Sequence, residues 1–183
     1  IQSDLINENE AQKVVDEVVR EFGRIDILVN NAGRYIDGDE WNGPAEIWLK
    51  SLQQNLMSMM NVSKYAVDIF QKQKKGIMVN IASKHGLIGQ PDSFSYAAAK
   101  AGVINITQAY AKLLTPFGRA NSISPSATNV GYWLTAPKEE IEEQLASRPN
   151  HKFVDVETVA SKIIFLASDE AKDINGQNFP VTE

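Results

Sequence analysis

Tyr96 and Lys100 stand four residues apart in the stretch SFSYAAAKAG, residues 93–102, with three alanines between them. Alanine is the strongest helix former, and positions i and i+4 of a helix share one face. Phenol and ammonium are therefore expected side by side. A free tyrosine has a pKa of about 10, and a neighbouring cation favours its ionised form. The chemistry such a pair offers is proton transfer, with the phenol as general base or acid. Taken alone, the pair also reads as a surface contact on an ordinary helix.

The flanking elements decide where the pair sits. Ala11, Val14, Val15, Val18, Val19 and Phe22 repeat at helical spacing, and Gly23 stops that helix. Ile25 to Val29 is a short, branched, apolar run that suits a buried strand. Residues 33–43 hold three glycines and two aspartates and read as a loop. A long helical pattern covers 45–70, a second buried strand Ile77 to Ala82, and a helix 93–114, closed by Pro116 and Gly118. The run ANSIS is a third, weaker strand before Pro125, and GQNFPV reads as a final one. In PKEEIEEQLASRP only Ile141 and Leu145 form an apolar stripe, so that helix buries little and is suited to a lid. Asp155 is placed to cap the last helix, and the opening IQSDL reads as the end of a strand. Helices alternating with buried strands imply a doubly wound parallel α/β sheet, read here as one domain over residues 1–183.

In such a sheet, ligands bind beyond the carboxyl ends of the strands. The first strand runs into Asn30, Asn31, Ala32 and Gly33, the second into Ser83, Lys84 and His85, and the third into Ser124, Pro125 and Ser126. Tyr96 and Lys100 open the helix after the second strand, so they fall on the same rim.

In order and spacing these stretches resemble the short-chain dehydrogenase/reductase family. The matching pieces are ILVNNAG, Asn55 in the following helix, VNIAS with Ser83 thirteen residues before Tyr96, YAAAK, NSISPS, the opening SDL and the closing INGQNFPV. The resemblance implies a Rossmann-like fold and an NAD- or NADP-dependent oxidoreductase that interconverts secondary alcohols and ketones. It implies a catalytic tetrad of Ser83, Tyr96, Lys100 and Asn55, with Lys100 also on the nicotinamide ribose and Asn55 in a water relay. It places Asp4 and Leu5 beside the adenine, Asn31, Ala32 and Gly33 along the adenosine, and Pro125, Ser126 and Thr128 at the nicotinamide amide. It further implies a homodimer or homotetramer built on the helices that contain Asn55 and Tyr96.

Removing a hydride from an alcohol carbon requires removing the hydroxyl proton as well. Lys100 is expected to lower the pKa of Tyr96 for that task, and Ser83 to hold the substrate oxygen in place.

The family's glycine-rich phosphate turn of TGxxxGxG type has no match in this sequence. By the family's strand order, two strands would lie between IQSDL and DILVN, so the expectation is a sheet lacking its first two strands, and a parent chain with a longer front part. Smaller departures are Ser126 where a glycine is usual and Val130 where a threonine is usual.

Composition bounds the partners. The net charge of -5 and pI near 5.1 argue against nucleic acid or an anionic membrane surface. The chain has no cysteine, and its two histidines, His85 and His151, are too few and too far apart for a metal cluster. No run approaches the length of a membrane span, and a cytoplasmic protein is expected. Tyr132, Trp133 and Leu134 should form one wall of a substrate cleft and Arg34, Tyr35, His85, Leu87 and Phe94 the other, suited to a small carbonyl compound or alcohol. The rival from another class is a non-catalytic module that only associates. Serine hydrolysis through Ser83 and His85 is disfavoured, because the Gly-x-Ser-x-Gly elbow is absent.

Overall fold

The computed structural model describes residues 1–148 and 150–182, and for Tyr132 the backbone alone. The chain opens without a strand, contrary to the reading of IQSDL. Asp4 Oδ1 accepts from the Ile6 amide at 3.1 Å, which bends the segment into a turn. Leu5 then packs with Ala11, Val15 and Val62 instead of joining the sheet. Helix α1, Glu8–Phe22, starts where the Asn7 side chain accepts from the Asn9 and Glu10 amides. It stops at Gly23, whose φ of 74° closes the helix in the left-handed region.

Strand β1, Ile27–Asn30, leads through a loop to helix α2, Ala45–Leu52. The helical path continues as a π-helical segment, Gln53–Met57, and then as α3, Ser58–Gln73. Strand β2, Gly76–Ile81, is followed by helix α4, Phe94–Leu114, and strand β3, Gly118–Pro125. Helices α5, Lys138–Ala146, and α6, Val156–Ala167, precede strand β4, Asn178–Val181. Asp155 does stand at the N-cap of α6, but its side chain makes no cap hydrogen bond.

The four strands are parallel, in the order β1-β2-β3-β4. Alternation along β2 sorts the core into two faces. Met78 packs with Val67, Phe70, Ala111 and Leu114 of α3 and α4, whereas Ile77 and Val79 pack with Ile123 and Leu166 beneath α6. Residues of β2 are buried because helices cover both of its faces, which is why its run is apolar throughout. β1 and β4 are the two edges among the described strands. Ile27 and Val29, in register with Ile77 and Val79, are 46% and 39% exposed. Near the carboxyl ends of the strands a buried polar chain ties the layers. Asn30 Nδ2 donates to Asn80 Oδ1 at 2.8 Å and to Ser63 Oγ at 2.9 Å, and Asn80 Nδ2 donates to Thr107 Oγ1 at 2.9 Å. Such pairing is what permits amides inside an apolar sheet.

Helix α5 buries none of its residues, in keeping with its narrow apolar stripe. No helix among the described residues is long and apolar enough to cross a membrane, and no group of potential metal ligands occurs among them.

Candidate active site

Ser83 lies just past the end of β2, where its Oγ accepts from the His85 amide at 3.2 Å and caps a short 3-10 turn. Tyr96 is in the first turn of α4 and Lys100 in the next. The two do share a face. The Lys100 ammonium lies 5.7 Å from the centroid of the Tyr96 ring. Lys100 is only 4% exposed, and its Nζ donates to the Ile81 carbonyl at 2.9 Å. The edges of two further rings confine the phenol, Tyr35 at 6.4 Å and His85 at 6.2 Å between centroids.

The electrostatics differ from the local expectation. Burial pushes the Tyr96 phenol above its ordinary value, and hydrogen bonding from Ser83 acts in the opposite direction. For Tyr96, burial outweighs whatever favours the ionised phenol. Lys100 is itself desolvated, which brings its pKa from 10.5 down to about 8, and it spends a proton on a backbone carbonyl. Burial also lowers His85.

Asn55 sits inside the π-helical segment, a distortion frequent at functional sites. It is 1% exposed; its Nδ2 donates to the Arg34 carbonyl at 2.8 Å and the Ser51 carbonyl at 3.0 Å, while its buried Oδ1 has no partner. Gly33 faces the same point. With φ at +150°, a methyl group on Gly33 would stand 2.7 Å from Asn55 Oδ1 and 3.3 Å from Lys100 Nζ. Gly33, Asn55 and Lys100 therefore converge around one small space.

Asp4, Leu5, Ala32 and Gly33 line a cavity of about 250 Å³ together with Gln54 and Ser58. Asn31 is exposed at the end of β1, outside that lining. Pro125 ends β3, the Ser126 amide donates to the Val181 carbonyl at 2.9 Å, and Thr128 Oγ1 donates to the Ser126 carbonyl at 3.1 Å. Arg148, buried and not singled out in the sequence, donates from Nη1 to Ser126 Oγ at 3.1 Å.

His85, Leu87 and Phe94 line a second cavity of about 540 Å³ with Trp41, Ile88 and Pro91. Arg34 does not belong to that wall. Asn55 holds its carbonyl and its Nε reaches Gln54 Oε1 at 3.5 Å, so it borders the smaller cavity instead. Trp133 packs against Phe153 at 5.3 Å, and the side chain of Tyr132 lies outside the described ones. Sequence reasoning also missed Asp39, a fully buried carboxylate from the loop after β1 that binds the start of α4. Its partners lie 56 and 57 residues away, so no local pattern marks it.

The family profile described as enoyl-(acyl carrier protein) reductase matches residues 1–183. A 3-oxoacyl-(acyl-carrier-protein) reductase, FabG of Thermotoga maritima, is 37% identical over 170 residues, 92% of this chain and 69% of that protein. The chain belongs to the short-chain dehydrogenase/reductase family. FabG of Staphylococcus aureus strain Mu50 is 33% identical to this short-chain dehydrogenase/reductase over 183 residues, 99% of the chain and 74% of that protein. Among solved structures, ElxO with NADP bound matches with a TM-score of 0.92 and 27% identity, covering 100% of this chain and 75% of that one. An NAD+-bound xylitol dehydrogenase matches with a TM-score of 0.89 and 27% identity, covering 98% and 76%. The shared fold places Ser83, Tyr96 and Lys100 on the carboxyl rim of a parallel sheet, where α/β proteins bind their ligands.

Proposed function

We propose that this short-chain dehydrogenase/reductase interconverts a secondary alcohol and a ketone with NAD or NADP, and that Tyr96 is its general acid/base. The observation that carries the reading is a half-buried phenol, one helical turn from a buried ammonium, acted on by the Ser83 hydroxyl. The residues fit a nicotinamide dinucleotide. Small side chains open the cavity at Ala32 and Gly33, and a buried acceptor, Asn55 Oδ1, is left unused beside Lys100 Nζ. Asp4, Leu5, Asn31, Ala32 and Gly33 would hold the adenosine side, Tyr96 and Lys100 the ribose, and Pro125, Ser126 and Thr128 the carboxamide. Bound there, the dinucleotide supplies or accepts the hydride.

The chain's own groups handle the oxygen and its proton. Ser83 donates a hydrogen bond to the substrate oxygen and fixes its approach to the ring hydroxyl. In reduction Tyr96 releases its proton to the oxygen as negative charge develops there. In oxidation it takes that proton back. Lys100, with a pKa near 8, exchanges protons close to neutrality and can restore the phenol. Asn55 Oδ1 is free to accept from a water on the path to bulk solvent. Leu87, Phe94 and Trp41 offer an apolar wall for a small carbonyl compound or alcohol. Association into a homodimer or homotetramer through the helices holding Asn55 and Tyr96 is part of the same proposal. Those helices expose Leu49, Met57 and Leu113 at 58%, 42% and 48%.

The test is a titration of the protein with NADH and NADPH, followed by a panel of ketones and keto-thioesters monitored by nicotinamide absorbance. Saturable binding and a carbonyl-dependent loss of reduced cofactor are expected. Binding without turnover on any member of the panel would leave the associating module as the better description.

A further inference from the structure

We propose that Asp39 is a positioning residue for Tyr96, a buried carboxylate that caps the start of α4 from a distant loop in place of the helix's own N-cap. The proposal rests on the reading of Tyr96 as the acid/base.

The first amides of any helix lack partners within the helix and need acceptors from elsewhere. Ser93 occupies the N-cap of α4 and is a good capping residue by type, yet its side chain makes no cap bond. Its hydroxyl is engaged instead with His85 Nδ1 at 2.8 Å. Asp39 fills the vacancy with all three of its oxygens. Its carbonyl accepts from the Phe94 amide at 2.8 Å, Oδ1 from the Ser95 amide at 2.9 Å, and Oδ2 from the Tyr96 amide at 2.7 Å. The Ser95 hydroxyl adds a donor to Oδ1 at 2.5 Å. Three successive amides, the last of them that of Tyr96 itself, thus close on one residue. A negative charge at the positive end of a helix is favourable, and a carboxylate with no exposure is tolerable only when so fully bonded.

The same carboxylate reaches the other half of the site. Oδ2 accepts from Ser51 Oγ at 3.5 Å, and the Ser51 carbonyl in turn accepts from Asn55 Nδ2 at 3.0 Å. Asp39 therefore sits between the turn that carries Tyr96 and the turn that carries Asn55. The first turn is where a helix frays most readily, so the depth of the phenol against Ser83 and Lys100 depends on this cap.

Asp39→Asn tests the assignment, because an amide must turn an N–H₂ toward one of the helix N–H groups. Hydrogen bonds to charged groups are individually strong, so exchange of the Ser95 and Tyr96 amides should quicken roughly 10- to 100-fold while core amides such as Val79 and Ile123 stay protected. The NMR contact between the Tyr96 and His85 rings should weaken. In turnover, kcat should fall while KM for the carbonyl substrate stays within about two-fold, the signature of a misplaced acid/base and not of a lost binding site. Should Asp39→Asn not fold, Ser95→Ala removes one donor and keeps the three amide bonds. It should move the same readouts the same way, with roughly five-fold faster exchange. A folded variant with unchanged exchange at both amides and an intact ring contact overturns the proposal, and so do altered amides with unaltered kcat. Absence of turnover in the wild-type protein would defeat the oxidoreductase reading alone, since exchange and the ring contact still report whether Asp39 places Tyr96.

Discussion

Lys100→Met separates what Lys100 does for the site from what it costs the fold. Burial brings this ammonium from 10.5 to about 8. One pH unit is worth about 1.36 kcal/mol, so holding the charge inside the fold at neutral pH costs roughly 3 kcal/mol. The sign follows from proton counts. Below pH 8 the amine is protonated in both folded and unfolded chains, and the full cost is present. Between about 8 and 10.5 the folded chain has released the proton while the unfolded chain still holds it, so stability rises with pH. Wild-type unfolding free energy should therefore gain about 2 kcal/mol from this group between pH 7 and pH 9.5, and Lys100→Met should lack that gain. Urea denaturation of both proteins at the two pH values gives the double difference, in which the other titrating groups largely cancel. At pH 7 the variant should be at least as stable as the wild type, because the relieved charge offsets the roughly 1–3 kcal/mol for leaving the Ile81 carbonyl without its donor. A difference between the two proteins that does not change with pH would show that the ammonium is solvated and the reasoning wrong.

Three further outcomes follow from the same geometry. Gly33→Ala should destabilise the protein by roughly 1–3 kcal/mol in urea and reduce turnover, since its methyl group would meet Asn55 Oδ1 at 2.7 Å from a backbone at φ +150°. Asn55→Leu should cost about 2 kcal/mol of stability, measured the same way, because the Arg34 and Ser51 carbonyls lose their donor. For alcohol oxidation, kcat/KM should climb with pH through neutrality, because burial holds the Tyr96 phenol above its ordinary value and the base must be ionised to act; a plateau already reached at pH 6 would contradict this.

What the sequence made legible was local. The four-residue spacing of Tyr96 and Lys100, the stop at Gly23 and the apolar run of β2 each depend on neighbours along the chain, and the structure shows them as read. Features set by distant partners were not legible. Asp39 looked like a loop aspartate because its donors are on α4. Arg34 was assigned to the wrong wall because Asn55, across the site, holds its carbonyl. The sign of the Tyr96 shift was misjudged for a related reason. Spacing reveals a nearby charge, whereas burial, which prevails here, belongs to the whole fold. The opening IQSDL has the composition of a strand end, but a strand needs a partner, and here it turns into α1 instead.

The most direct measurement is the carbonyl-dependent oxidation of reduced nicotinamide by the wild-type protein and by Tyr96→Phe, which removes one oxygen and keeps the ring. Loss of general acid catalysis predicts a fall in kcat of at least about 100-fold with the thermal midpoint little changed. Equal rates in the two proteins would contradict the account, because the proton would then come from somewhere other than Tyr96.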